Sequence, residues 1–188
     1  MYRTFVSSLA AMAVMAISVQ AYEDETPGQF FAKYGANPTY SNSVSSKQEV
    51  ARSIASQVNS RLGPQWVEPA LKIAKIESGY TCNVKGPKTR HGRAVGPLQV
   101  LVGSAESLGI SAYELDTSCA MQIEAGIRHM ERCIKLGAKT SSQFASCHVS
   151  GNPFNGRLTR KAERYRQKYI KLAVNAKIPE WVGTLYYW

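Results

Sequence analysis

The chain has 188 residues, a formal net charge of +10 and four cysteines. That length supports one domain with a real core. No Cys-x-x-Cys pair and no His-Glu-x-x-His occurs, and the three histidines are scattered, so the pattern argues against a metal site. The basic excess points to an acidic or anionic partner.

Residues 1–21 read as a secretory signal peptide. Arg3 is the short positive region, residues 5–19 are the apolar stretch, and Val19-Gln20-Ala21 is a small-x-small cleavage site. The apolar run is short of a full membrane span, so stable membrane insertion is not expected. No Cys precedes Cys82, which leaves nothing for a lipoprotein anchor near Ala21. The expectation is an exported protein, periplasmic or secreted, from about Tyr22 onward. Without Arg3 it has 22 basic and 13 acidic residues. For such a chain, lacking a nucleic-acid motif, cell wall, lipid headgroups or anionic glycan are better partners than nucleic acid.

Residues 22–46 form an extended lead-in. They hold Glu23-Asp24-Glu25 and a Ser/Asn run, and Phe30, Phe31, Tyr34 and Tyr40 are expected to pack on the domain. A helical region, 47–156, follows. Its first helix runs over 47–62, with Val50, Ile54 and Val58 at four-residue spacing. Ser46 with Glu49 makes a capping box, and Gly63-Pro64 ends the helix.

The next helix, 69–78, has Pro69 at its first position and Gly79 just past its end. Ala70, Leu71, Ile73, Ala74 and Ile76 share a broad apolar face, and Lys72 and Lys75 lie opposite. Glu77 falls near the middle of the apolar face. Burial there and the negative end of the helix dipole both disfavour its charged form. The sequence therefore predicts a raised pKa and a proton held for general acid catalysis. The plain alternative is a Glu turned outward as the helix frays.

Residues 80–95 read as a loop, with Lys85, Lys88, Arg90, His91 and Arg93 as a solvated basic cluster. Gly96-Pro97-Leu98-Gln99-Val100 follows, then a short helix around Ala105 and Leu108. Gln99, between two apolar residues, either hydrogen-bonds internally or faces a cleft. Within 116–136 another helix carries Met121 or Ile123, Ile127, Met130 and Ile134, with Gly126 permitting close approach and Gly137 as the stop. A short helix from Ser141 runs through Phe144 and Cys147 to a breaker at Ser150-Gly151-Asn152-Pro153.

Cys82, Cys119, Cys133 and Cys147 are an even set in an exported chain, so two disulfides are expected. Three pairings are open. Cys82–Cys119 with Cys133–Cys147 is preferred, because each then ties neighbouring segments.

Taken together, these segments resemble the family 1 lytic transglycosylases. Glu77-Ser78-Gly79-Tyr80 resembles the family's catalytic E-S-G-aromatic motif. Gly96-Pro97-Leu98-Gln99-Val100 resembles its G-L-M-Q-[IV] motif. Gln122-Ile123-Glu124-Ala125-Gly126 with His129-Met130 resembles its N-I-x-x-G-x-x-Y-L helix. Cys147-His148-Val149-Ser150-Gly151 resembles its A-Y-N-[AST]-G motif. The match spans residues 66–153, in order. The family's Tyr and Asn in the last motif fall at His148 and Val149, and the Asn of the third falls at Gln122.

The resemblance implies a mainly α, lysozyme-like domain that cleaves the MurNAc–GlcNAc β-1,4 bond of peptidoglycan glycan strands. No cofactor is implied, and small exported members serve secretion-system, pilus, flagellar or phage assemblies. Glu77 would protonate the glycosidic oxygen and then act as base on the muramoyl 6-hydroxyl. Ser78 would orient substrate or Glu77, Leu98 and Gln99 would line the sugar cleft, and His148 would stand near Glu77. Retaining glycosidases of the usual kind need a second carboxylate. Here Glu68, Glu106, Asp116 and Glu124 each read as a solvated or capping charge. The alternatives are a goose-type-like lysozyme with water as acceptor, and a non-catalytic wall-binding component of a secretion apparatus.

The final segment, 157–188, reads as a basic helix and an aromatic tail packed on the domain. Tyr165, Tyr169 and Leu172 form the apolar line, with Arg157, Arg160, Lys161, Arg164, Arg166, Lys168, Lys171 and Lys177 around it. Docking of this charge on an anionic wall should weaken with salt. Trp181, Tyr186, Tyr187 and Trp188 are expected to pack against the domain, with sugar stacking or partner anchoring as the alternative.

Overall fold

A computed structural model describes residues 46–89, 92–154 and 158–183. The signal peptide, the lead-in before Ser46, Arg90, His91, Arg157 and the tail residues Tyr186, Tyr187 and Trp188 lie outside the described residues. The fold is mainly helical with one small sheet.

Helix α1, Lys47–Leu62, starts where the sequence places it. Ser46 Oγ accepts from the Glu49 N–H at 3.2 Å, and the Glu49 carboxylate accepts from the Ser46 N–H at 2.7 Å. These bonds satisfy two orphan donors of the first turn. The helix buries Val50, Ala51, Ile54, Ala55 and Val58. A 3-10 turn, Pro64–Trp66, leads into α2, Val67–Ser78. Pro69 is thus the third residue of α2 rather than the first. It still lies in the opening turn, where a missing N–H costs no helical bond. Gly79 ends α2 at φ 61°, and the N–H groups of Gly79 and Tyr80 return to the carbonyls of Lys75 and Ala74.

The stretch read as a loop over 80–95 contains a hairpin instead. Strands β1, Lys85–Thr89, and β2, Gly92–Val95, pair antiparallel, and β3, Val100–Leu101, adds to β2. The register is irregular between Lys85 and Lys88, around Gly86-Pro87. Gly and Pro there erase the two-residue alternation that marks a strand, so the pairing has no local signature.

Helices α3, Val102–Glu106, and α4, Ala112–Thr117, follow. The helical region read within 116–136 divides at Ser118. Ser111 and Glu114 cap α4, and Ser118 caps α5, Cys119–Lys135. Helix α5 is buried without interruption from Met121 to Ile127, so it runs through the core rather than along its surface. A Cβ on Gly126 would lie 2.1 Å from Leu98 Cδ1, so only glycine admits Leu98 at this point. Helices α6, Ser141–Ser150, α7, Arg160–Asn175, and the short α8, Glu180–Gly183, complete the described fold.

Helix α7 turns a different face inward from the one expected. It buries Arg166, Tyr169 and Ala173, while Tyr165 and Leu172 are 63% and 55% exposed. Arg166 tolerates burial because its guanidinium donates to Ser146 Oγ at 2.6 Å and to both oxygens of Glu163 at 2.6 and 2.9 Å. Trp181 packs its ring edge-on to Tyr80, at 5.5 Å between centroids.

The disulfides are Cys82–Cys119 and Cys133–Cys147, the preferred pairing. The first joins the segment after α2 to the start of α5, and the second joins α5 to α6. Among the described residues no helix is long and apolar enough to cross a membrane.

Candidate active site

Four side chains meet at the C-terminal end of α2. Glu77 comes from α2, His129 from α5, His148 from α6 and Tyr169 from α7. The Tyr169 hydroxyl donates to Glu77 Oε1 at 2.5 Å. His148 Nε2 lies 3.5 Å from the same oxygen. The His148 ring stacks on Tyr169, with centroids 6.1 Å apart and planes 19° apart. His129 meets His148 edge-on at 5.3 Å. The Glu77 side chain keeps 21% of its surface exposed, against 5% for His148. The carboxyl therefore sits at a boundary, fastened on the protein side and open on the other.

The expected raised pKa of Glu77 is overturned. Burial does push it up and is the largest single effect, but hydrogen bonding and charge from His148 and the Tyr169 hydrogen bond together hold it below its ordinary 4.5. Burial is legible from α2 alone, whereas His148 and Tyr169 arrive from α6 and α7. Tyr169 is pushed far up, by burial and by the adjacent carboxylate, so it remains a phenol that can donate. His129 is driven down to about 4, by burial and by the neighbouring His148.

The other residues of the matched motifs build the frame. Ser78 Oγ donates to the Pro97 carbonyl at 2.9 Å and accepts from the Thr81 N–H at 3.1 Å. It thus holds the end of α2, and with it Glu77, against the turn before β3. Leu98 is fully buried beside Gly126, so it is a core side chain and does not line a cleft. Gln99, at φ 47°, donates to the carbonyls of Val84 and Gly96 at 3.0 and 2.8 Å, which answers its open choice in favour of internal bonding. Gln122 is fully buried, accepts from the Asn83 N–H at 2.9 Å and donates to Asn83 Oδ1 and the Leu115 carbonyl at 2.7 and 2.9 Å.

The other carboxylates have separate employment. Glu68 pairs with Lys72 and Asp116 with Lys85, both well exposed, and Glu106 is exposed. Glu124 is a correction. It is buried between Arg61 at 2.7 Å and Arg128 at 2.6 Å, not solvated, because two guanidiniums replace its water.

The helical spacing places Tyr169 on the apolar face of its helix and gives no sign of its bond to Glu77. A Tyr facing a core and a Tyr facing a carboxyl have the same helical spacing. No set of three His, Cys, Asp or Glu side chains among the described residues is placed to hold a metal ion. The arrangement offers proton transfer by one carboxyl that Tyr169 hydrogen-bonds, with His148 Nε2 3.5 Å from the same oxygen. Compared with protein-family models, curated proteins and solved structures, the chain matches none of them.

Proposed function

We propose that the chain is a peptidoglycan lytic transglycosylase with a lysozyme-like domain, and that Glu77 is its acid and base. The supporting observation is the Glu77 carboxyl itself, part-exposed at a helix end and anchored through Oε1 by Tyr169. Protonated Glu77 gives its proton to the glycosidic oxygen as the C1–O bond breaks. The muramoyl 6-hydroxyl oxygen then bonds to C1 and closes the 1,6-anhydro ring. The Glu77 carboxylate takes the hydroxyl proton, which restores the starting acid. No water is consumed, and no second carboxylate is needed because the substrate supplies the nucleophile.

Glycan strands are the substrate in this reading, with the cell wall outside the cytoplasm as its place and a secretion-system, pilus or flagellar assembly as the machine served. The two disulfides are compatible with export. The test is mass spectrometry of muropeptides released from purified peptidoglycan by the mature chain and by Glu77→Gln. Anhydro-muropeptides from the wild type alone support the proposal. Products heavier by one water make the protein a lysozyme. Binding without release by either makes it a wall-binding component.

A further inference from the structure

We infer that His148 is a positioning residue for Glu77: with Tyr169 it fastens Oε1, and so assigns proton transfer to Oε2. The inference rests on reading Glu77 as acid and base.

The geometry is asymmetric. Both neighbouring groups approach one oxygen, Tyr169 at 2.5 Å and His148 at 3.5 Å. Among the described residues Oε2 accepts no hydrogen bond, and it is not among the buried atoms that lack one. The terminal torsion of a Glu is broad and two-fold, so an unrestrained carboxyl exchanges its oxygens readily. The Tyr169 hydrogen bond to Oε1 restricts that freedom, and His148 Nε2 stands beside the same oxygen. The oxygen left outward is the one with a lone pair, or a proton, to offer a substrate.

For the neutral ring, the tautomer of His148 follows from its other nitrogen. Nδ1 is buried and has no hydrogen-bond partner. A neutral ring with its proton on Nδ1 would bury an N–H with no acceptor and aim a bare Nε2 at the carboxylate. With the proton on Nε2, the ring donates toward Oε1 and leaves only a lone pair unmet. A separation of 3.5 Å is long for this bond in the free protein, and such contacts tighten when substrate closes the site.

The surroundings are compatible with a donor role. The groups that face this pair are Glu77 from α2, Tyr169 from α7 and His129 from α5. Arg132 of α5 acts on His129, and Tyr165 of α7 acts on Tyr169. His129, held neutral down to about pH 4, adds no second positive charge above that. The stacked face of Tyr169 and the edge of His129 fix the plane of the His148 ring, so its Nε2 has one direction in which to point.

Two variants separate a donor from a filler. His148→Gln carries an amide N–H near the place of Nε2, while His148→Phe keeps a ring against Tyr169 and has no donor. Glu77 is titrated by carbon-13 NMR of labelled glutamate, with Glu77→Gln locating its signal, and the pH profile of muropeptide release is recorded alongside. The expected result for His148→Phe is an upward shift of the Glu77 titration by about one unit and a kcat about ten-fold lower, the size of one lost donor. His148→Gln should keep the Glu77 titration near the wild-type value. Equal shifts in both variants, or none in His148→Phe, would overturn the inference. Nitrogen-15 spectra of the wild-type His148 ring add a test that needs no folded variant: a neutral ring protonated at Nδ1 would also overturn it. The titration is read whether or not the wall is cut. A wild type that never cleaves therefore defeats the functional proposal while the Oε1 pairing is judged separately.

Discussion

The phenol of Tyr169 reaches Oε1 of Glu77 at 2.5 Å across 92 residues of sequence. A buried phenol held this close favours the carboxylate over the acid, and it draws the Glu77 pKa down. Tyr169→Phe removes that donor and preserves the ring. The Glu77 pKa should then rise. A general acid works while protonated, so its activity falls as pH rises through its pKa. The wild type should therefore lose activity as pH rises from below 4.5, and Tyr169→Phe should carry that falling limb to higher pH. Stability should change by only about 1 kcal/mol, the net worth of one hydrogen bond. Rates of muropeptide release against pH, with denaturant melts of both proteins, read the two effects apart.

His129 makes folding sensitive to acid. Its pKa drops from an ordinary 6.5 in the unfolded chain to about 4 in the fold. Between those values the unfolded chain binds more protons, so stability rises with pH and is lost as pH falls from 6.5 toward 4. The loss should be about 3 kcal/mol. Glu77, also lowered, adds a loss in the same direction below its unfolded value of 4.5. His129→Gln should flatten the upper part of this slope. Urea midpoints at pH 7 and pH 4 for both proteins measure it, and an unchanged slope in the variant would place the acid sensitivity elsewhere.

Gly126 and Leu98 are a packing pair. Gly126→Ala would set a Cβ within 2.8 Å of Leu98 Cβ and closer still to its Cδ1. Overpacking of this kind should cost about 1–3 kcal/mol. Leu98→Ala should cost about 2–5 kcal/mol as a cavity in the core. The double variant should be less destabilised than the sum, since the smaller Leu98 replacement relieves the clash. If Leu98→Ala kept full stability and lost wall binding, the cleft-lining role read from the sequence would return.

The disulfides close loops of different length. Cys133–Cys147 spans a separation of 14 residues and Cys82–Cys119 one of 37. Loop-closure entropy assigns them about 3 and 4 kcal/mol. Cys133→Ser with Cys147→Ser should lower the melting temperature and also free the turn that carries His148. The Glu77 titration in that variant should drift toward that of His148→Phe. Melting curves with and without reductant provide the first readout, and the carbon-13 titration provides the second.

Much of the helical fold was legible in the sequence. The box of Ser46 with Glu49, the four-residue spacing of Val50, Ile54 and Val58, and the stops at Gly79, Gly137 and Gly151 are signals that act within a turn or two. The same kind of signal, Ser111 with Glu114, marks α4. The hairpin was not legible, because Lys85, Gly86, Pro87 and Lys88 carry no strand pattern and depend on β2 for their pairing.

By itself the sequence determined much of the helical fold and marked Glu77 as the carboxyl worth watching, while it left three cysteine pairings open. The first two rest on backbone hydrogen bonding and apolar spacing along single segments. The tertiary structure alone decided what surrounds that carboxyl. It brought His148 and Tyr169 to one oxygen, reversed the direction of the Glu77 pKa and buried Glu124 between two arginines. It also made Leu98 a core residue and turned Arg166 inward in place of Tyr165. A pKa depends on every charge and dipole within a few ångströms, and here those groups, His148 and Tyr169, come from helices 71 and 92 residues away along the chain. Local periodicity contains no term for them.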